Sequence, residues 1–279
     1  MQPIALLTDF GTRDPYVGVM KGVIQSIAPG APLIDLSHSV LPQNVRQAAF
    51  MLMTAYHYFP VGTVFLVVVD PGVGSSRRAL IVEADGYTFI APDNGVLSYV
   101  LRETDATKSF LLENRDFQLK TVSTTFHGRD VFAPAAAHTA SGRSPAEFGS
   151  AVSEIVQLPD PKLQRVADRL FGEVIYADHF GNLITSIGRL QWDSHDLQLR
   201  PAFGQQIDKV RFDVRRASVT IRDRQIESVQ RTYSESPAGM LVALVGSSGF
   251  LEVAINQGSA AAVLGAEAGD VIEVQLGAG

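Results

Sequence analysis

Thr63-Val64-Phe65-Leu66-Val67-Val68-Val69-Asp70-Pro71-Gly72-Val73-Gly74-Ser75-Ser76-Arg77-Arg78 is the stretch that decides how this chain is read. An apolar strand, Phe65 to Val69, delivers a carboxylate straight into a Pro-Gly turn. Two arginines follow, seven and eight residues after Asp70 and just before the next apolar run, Ala79 to Val82. Proteins that alternate strands and helices place chemistry where a strand end hands a charged group to a glycine-rich loop. A loop that only reversed the chain would not require an acid and two guanidinium groups together.

Outward from this stretch, the first half of the chain alternates strand and helix patterns. Ile4 to Leu7 is a short apolar strand ending at Thr8-Asp9-Phe10-Gly11. Tyr16 to Ile27 has helical spacing, with Val17, Met20, Val23 and Ile24 on one stripe and Pro29-Gly30 closing it. Leu33 to Leu36 reads as a strand and Asn44 to Tyr58 as a helix. Thr88 to Ala91 is a further strand before the turn Pro92-Asp93-Asn94-Gly95. Val96 to Glu103 and Asp130 to Ser141 read as helices. This order predicts an α/β N-terminal domain with a mainly parallel central sheet covered on both faces.

The pattern changes after about Gly149. Leu158-Pro159-Asp160-Pro161-Lys162 reads as a linker, because proline supplies no donor to a helix or ladder. Beyond it, short β-rich runs (Gly172 to Ala177, Asn182 to Ile187, Lys209 to Phe212, Ala217 to Ile221, Leu241 to Val245, Val271 to Val274) alternate with glycine and polar turns. They predict a C-terminal all-β barrel-like domain. The expected boundaries are residues 1–157, a linker at 158–170, and 171–279.

Composition narrows the function. With 279 residues, 46% hydrophobic and 19% charged, the chain can build substantial cores. A net charge of -6 argues against nucleic acid or an anionic membrane as partner, since both call for a basic face. There is no cysteine, which removes disulfides, thiol catalysis and zinc–cysteine sites. Met1 to Asp9 has no basic segment before its apolar run, and no apolar stretch reaches the roughly 18 residues of a membrane span. The expectation is a cytoplasmic enzyme of a small-molecule substrate.

Several polar constellations fall at strand ends and turns. Asp9 either caps the following helix or accepts two ribose hydroxyls, as acids at a sheet edge do. Asp70-Pro71-Gly72-Val73-Gly74 lacks the Gly-Lys-Ser/Thr ending of a phosphate loop, and its leading acid would repel phosphate. It is either a tight turn with surface arginines or an acid held ionised and oriented by a guanidinium. In Thr125-Phe126-His127-Gly128-Arg129-Asp130, Asp130 has the position of a helix N-cap and His127 lies just outside the helix. No histidine pair has metal-ligand spacing, so no metal is expected. Asp178-His179-Phe180-Gly181-Asn182 is a hairpin turn, or a turn whose aromatic stacks on a base while its amide reads the base edge. Gly246-Ser247-Ser248-Gly249 adds hydroxyls and bare backbone.

Taken in order, these motifs and Ala91-Pro92-Asp93-Asn94-Gly95 resemble the S-adenosyl-L-methionine hydroxide adenosyltransferases, relatives of the fluorinase and chlorinase enzymes. The resemblance spans essentially the whole chain. It implies an N-terminal α/β domain, a C-terminal β-barrel, and a homotrimer with active sites between subunits. It also implies cleavage of S-adenosyl-L-methionine by water to adenosine and L-methionine, with no cofactor beyond the substrate. The family's catalytic set falls on Asp70, Arg77 and His127. Its ribose acid falls on Asp9 and its adenine-reading amide on Asn182. Phe180 and Tyr233 match aromatics around adenine, while Asp14, Asp178 and Ser247 match groups around the methionine moiety.

Two departures separate the chain from the halogenases it resembles. Those enzymes carry tyrosine at the Asp70 position and tyrosine-serine at His127-Gly128, and they have a long insertion where only Glu83 to Tyr87 joins two strands here. An acid at position 70 repels halide and suits water. The alternatives to hydrolysis are a halide-using enzyme on the same scaffold and a non-catalytic adenosine- or S-adenosyl-L-methionine-binding protein.

Overall fold

The computed structural model describes residues 1–105, 107–204 and 207–277. These divide into two compact units, Met1–Leu158 and Pro159–Gly279. The first unit contains, in chain order, β1 (Ile4–Thr8), α1 (Tyr16–Ile27), β2 (Leu33–Ser37), α2 (Val45–Ala55), β3 (Val64–Val68), β4 (Ala79–Ala84), β5 (Tyr87–Pro92), α3 (Ser98–Leu101), β6 (Lys108–Leu111), α4 (Ala133–Ala140) and β7 (Ala151–Val152). The strands form one sheet in the order β2-β1-β3-β5-β4-β6-β7.

The α/β architecture matches the expectation, and its sheet is mixed. β2, β1, β3 and β5 run parallel, whereas β4, β6 and β7 join antiparallel. The departure comes from the hairpin between β4 and β5, which turns through Asp85 and Gly86 at φ 49° and 79°. Two residues with positive φ make the tight turn that reverses a strand.

β1 and β3 are buried along their whole length because both faces of the sheet are covered. Alternate side chains serve two cores. Ile4, Leu6, Val64, Leu66 and Val68 pack with Met20 and Ile24 of α1 and Ala133 and Ala136 of α4. Ala5, Leu7, Phe65, Val67 and Val69 pack on the opposite side with Ala48 and Leu52 of α2 and Val100 of α3. Each large side chain so buried contributes about 1.5–3 kcal/mol. The same alternation carried past Val69 turns Asp70 toward the α1–α4 side.

Helix ends differ from the sequence expectation where local chemistry decides them. Asn44 is the cap of α2, its side chain accepting the Gln47 N–H at 2.9 Å, and Tyr56–Tyr58 tighten into a 3-10 turn. Asp130 is not the N-cap of α4. It lies inside a single turn of π-helix, Gly128–Phe132, that precedes the helix.

The second unit contains β8 (Leu163–Val166), β9 (Arg169–Ala177), β10 (Leu183–Gly188), β11 (Leu190–Asp193), β12 (Asp196–Leu199), β13 (Val210–Asp213), β14 (Ser218–Ile221), β15 (Arg224–Glu227), β16 (Leu241–Val245), β17 (Phe250–Ile255), α5 (Ala260–Leu264) and β18 (Val271–Gln275). Its main sheet runs β15-β14-β18-β9-β10-β17-β16, all antiparallel. Beyond β15, the Gln230 N–H donates to the Ala243 carbonyl at 2.8 Å and draws the ends of the sheet nearly into a barrel. β11, β12 and β13 form a separate small sheet.

The stretch expected as linker, 158–170, is partly strand. Pro159 and Pro161 do interrupt regular structure, but Leu163–Val166 pairs back on Arg169–Gly172 through a turn with Ala167 at φ 54°. Gln164, Arg165 and Val166 of β8 are all exposed, so the pattern lacked the apolar run by which a strand is recognised.

Candidate active site

The loop after β3 and the loop before α4 meet at three side chains. Arg77 grips Asp70 with a forked contact: Nε to Oδ1 at 2.9 Å and Nη2 to Oδ2 at 2.5 Å. The same Nη2 donates to His127 Nδ1 at 2.8 Å. One guanidinium thus bridges an acid and an imidazole. Both ends of the ion pair are largely withdrawn from water, with side-chain exposures of 10% for Arg77 and 5% for Asp70. The planar fork of the guanidinium fixes the orientation of the carboxylate.

The bridge also sets the histidine's form. Arginine can only donate, so Nδ1 must be an acceptor and the ring proton sits on Nε2. Burial, and then the charge of Arg77, hold the His127 pKa below the ordinary imidazole value, outweighing the opposite pull of Asp70. His127 is therefore neutral near pH 7.

Two features hold the two loops together, and a third braces the loop carrying His127. Gly74 has φ 78°, and a Cβ there would overlap the Thr124 carbonyl oxygen. The Arg77 guanidinium lies over the Phe132 ring, 5.1 Å from its centroid. Asp130, fully buried, accepts the Ser123 N–H at 2.8 Å and pairs with Arg129 at 2.5 Å. Asp130 is thus structural, as its position suggested, but it clamps the loop carrying His127 instead of capping a helix. On the strand side, the Asn94 side chain donates to the Val69 carbonyl at 2.8 Å and steadies the residue before Asp70.

A cavity of about 380 Å³ opens beside this bridge, lined by Phe10, Tyr16, Asp70, Val73, Phe126 and His127 among others. The aromatic wall is mutually packed: the Phe10 and Tyr16 rings each pack against Phe126, at 5.8 and 5.2 Å between centroids. These aromatics escaped the sequence reading because they lie in the bend after β1, at the first residue of α1 and in the loop before α4, with no shared period. Asp9 and Asp14 stand outside that lining. Asp9 follows β1 and accepts the Gln43 N–H at 2.7 Å, so it does not cap α1, whose first turn has no side-chain cap. Asp14 is exposed in the turn before α1.

The second unit gathers its expected residues in a different way. The Asp178 carboxylate closes the β9–β10 turn, accepting the Phe180 and Asn182 N–H groups at 2.9 Å each and the Asn182 side-chain amide at 3.0 Å. Asn182 is buried, whereas the Phe180 ring stands 73% exposed. Phe180, Asn182 and Tyr233 come together around a cavity of about 520 Å³, with Asn256, Gly258 and Ser259 completing the wall. Ser247 lies exposed in the β16–β17 turn and does not line that cavity. Glu252, on β17, was not anticipated. It is buried, accepts the Tyr233 hydroxyl at 2.9 Å, and has its pKa raised, by burial first and by the charge of Asp178 after it. An acid inside the apolar run Phe250-Leu251-Glu252-Val253 was the available signal.

Comparison with known proteins agrees with this layout. Residues 4–149 match the SAM hydroxide adenosyltransferase N-terminal domain, and residues 172–273 match the C-terminal domain of the same family. A protein of Thermus thermophilus named (R)-S-adenosyl-L-methionine hydrolase is 39% identical, the match covering 96% of this chain and 98% of the relative. A fluorinase of an Actinoplanes species is 32% identical over 67% of this chain and 72% of its own. The crystal structure of an uncharacterized conserved protein from Thermotoga maritima superposes with a TM-score of 0.84 at 36% identity, covering 97% of this chain and 99% of that one. The chain belongs to the SAM hydroxide adenosyltransferase family.

Proposed function

We propose that this chain hydrolyses S-adenosyl-L-methionine to adenosine and L-methionine, by attack of water on the ribose C5′ carbon. The observation that carries the reading is the Asp70–Arg77–His127 bridge beside an aromatic-walled cavity, in a chain similar over nearly its full length to a named hydrolase. The chemistry suits these groups. The leaving group is a sulfonium, so it departs as a neutral thioether and needs no acid. The nucleophile is the difficulty, because water has a pKa near 15.7.

In the proposed step the water oxygen bonds to C5′ as the C5′–S bond breaks and its electron pair passes to sulfur. The water's proton goes to Asp70 Oδ1, which keeps a lone pair beyond its single bond from Arg77 Nε, whereas Oδ2 accepts from both Nε and Nη2. Arg77 stabilises the charge developing on the water, and the His127 Nε2–H orients it. The Nδ1 lone pair of His127 is engaged by Arg77, which makes Asp70 the proton acceptor. Holding water and C5′ in line contributes about 7–11 kcal/mol at best.

The remaining assignments belong to the same reading. Asp9 takes the ribose hydroxyls, Asn182 the adenine edge, Phe180 and Tyr233 the adenine face, and Asp14, Asp178 and Ser247 the methionine moiety. The enzyme works in the cytoplasm as a homotrimer whose active sites lie between subunits, for which the exposed Phe180 ring offers a surface to cover. It uses no cofactor, and turnover after exhaustive dialysis against EDTA is expected to be unaltered.

The test is incubation in oxygen-18 water with each sulfonium epimer separately, since the name of the similar hydrolases specifies (R). Label is expected in the adenosine 5′-hydroxyl and not in methionine. Intact substrate after long incubation would indicate a binding protein, and a chloride-dependent 5′-haloadenosine would indicate a halogenase.

A pH profile tests the bridge. Because the folded pKa of His127 is lowered, the neutral ring persists below the ordinary imidazole value of about 6.5 and is lost only as pH falls through the depressed pKa. The acid limb of kcat/KM is expected below that ordinary value. A limb at or above it would mean that the bridge does not hold in the working enzyme.

A further inference from the structure

Glu252 is an expensive residue where it stands. It occupies β17, paired with Ile184 of β10 on one side and Leu244 of β16 on the other, and is 7% exposed. Its one hydrogen-bond donor among the described residues is the Tyr233 hydroxyl, a neutral group, at 2.9 Å. Its other oxygen lies against Gly246, so closely that a Cβ there would overlap it. Asp178 adds repulsion. Burying an acid with one neutral partner costs stability that an apolar side chain at this site would not.

What the acid does is link two turns, the one just before its own strand and one that carries Tyr233, 19 residues earlier. Tyr233 lies in a 3-10 turn, Tyr233–Glu235, is 38% exposed, and has no strand to hold it. Its ring nevertheless lines the cavity shared with Phe180 and Asn182. The turn Gly246–Gly249 is seated on the same carboxylate. We propose that Glu252 is a positioning residue that fixes the Tyr233 ring and the Gly246–Gly249 turn in their ligand-receiving arrangement by accepting the phenol hydrogen. The inference rests on the reading above that Tyr233 faces the adenosyl group. This hydrogen bond governs the ring without touching the substrate itself.

The test uses the full chain and four variants, with kcat and KM for S-adenosyl-L-methionine and the Kd of adenosine by calorimetry. Tyr233→Phe removes the donor from an exposed residue and leaves the barrel core alone. It is expected to raise KM and the adenosine Kd roughly tenfold or more, with a smaller change in kcat. Glu252→Ala is expected to do the same, and Glu252→Gln, which still offers an acceptor oxygen, to restore most of the loss. Wild-type binding by Tyr233→Phe overturns the proposal, as does a Glu252→Gln variant as weak as Glu252→Ala, since charge and not the hydrogen bond would then matter. Tyr233→Ala separates the two levels. If it binds adenosine normally, the placement of Tyr233 at the ligand fails and the proposal with it. If it binds weakly while Tyr233→Phe is unaffected, only the positioning role of Glu252 is lost.

Discussion

Asp70→Asn is expected to lower kcat for hydrolysis by about 10²–10⁴-fold, the usual contribution of a positioned proton acceptor. The substitution keeps the volume and leaves an oxygen for Arg77, but removes the charge and the basic lone pairs. Arg77, only 10% exposed, is then left with His127 as a neutral partner. Some stability is lost as well, because an uncompensated buried charge costs about 3–5 kcal/mol in full measure. Adenosine release followed by chromatography, beside a thermal melt of the same sample, separates the two effects. A kcat within tenfold of the wild type in a folded variant would remove Asp70 from the proton transfer.

Gly74→Ala is expected to damage both stability and turnover through a single methyl group. The residue has φ 78°, which costs an alanine about 1–2 kcal/mol by itself. The added Cβ also overlaps the Thr124 carbonyl, so the loop carrying Arg77 must move away from the loop carrying His127. Since the Arg77–His127 contact spans those two loops, kcat is expected to fall at least tenfold and the melting temperature by at least about 4 °C. Gly142→Ala is the control. It has φ 95° with nothing within 4 Å of a Cβ, so it carries the conformational cost alone and leaves turnover intact. Equal activity losses in the two variants would mean that loop approach is not what Gly74 provides.

Gly74 also shows why the Asp70 loop looked ambiguous as a string. Glycines after a strand suggest a phosphate cradle, yet here the bare backbone makes room for the neighbouring loop at Thr124, far along the chain. The first unit was legible because β1 and β3 are buried on both faces and therefore read as unbroken apolar runs. The second unit was harder. β15 buries one residue in four and β8 exposes most of its length, so neither shows the alternation by which strands are found. β17 was missed although it is wholly buried, and with it Glu252, whose role depends on a partner nineteen positions earlier.

The chain's own order of residues determined the alternation of strand and helix, the shift to a β-rich second half, and the candidates Asp70, Arg77, His127, Phe180 and Asn182. These follow from local periods and turn chemistry, which act over a few residues. Tertiary structure alone decided that Arg77 bridges Asp70 to His127, that Asp130 clamps a loop instead of capping a helix, and that Glu252 reaches Tyr233. The Arg77–His127 contact joins two loops 50 residues apart, which only the folding of the sheet brings together. Hydrogen bonds reach about 3 Å in space, and no distance along the chain foretells which groups will stand that close.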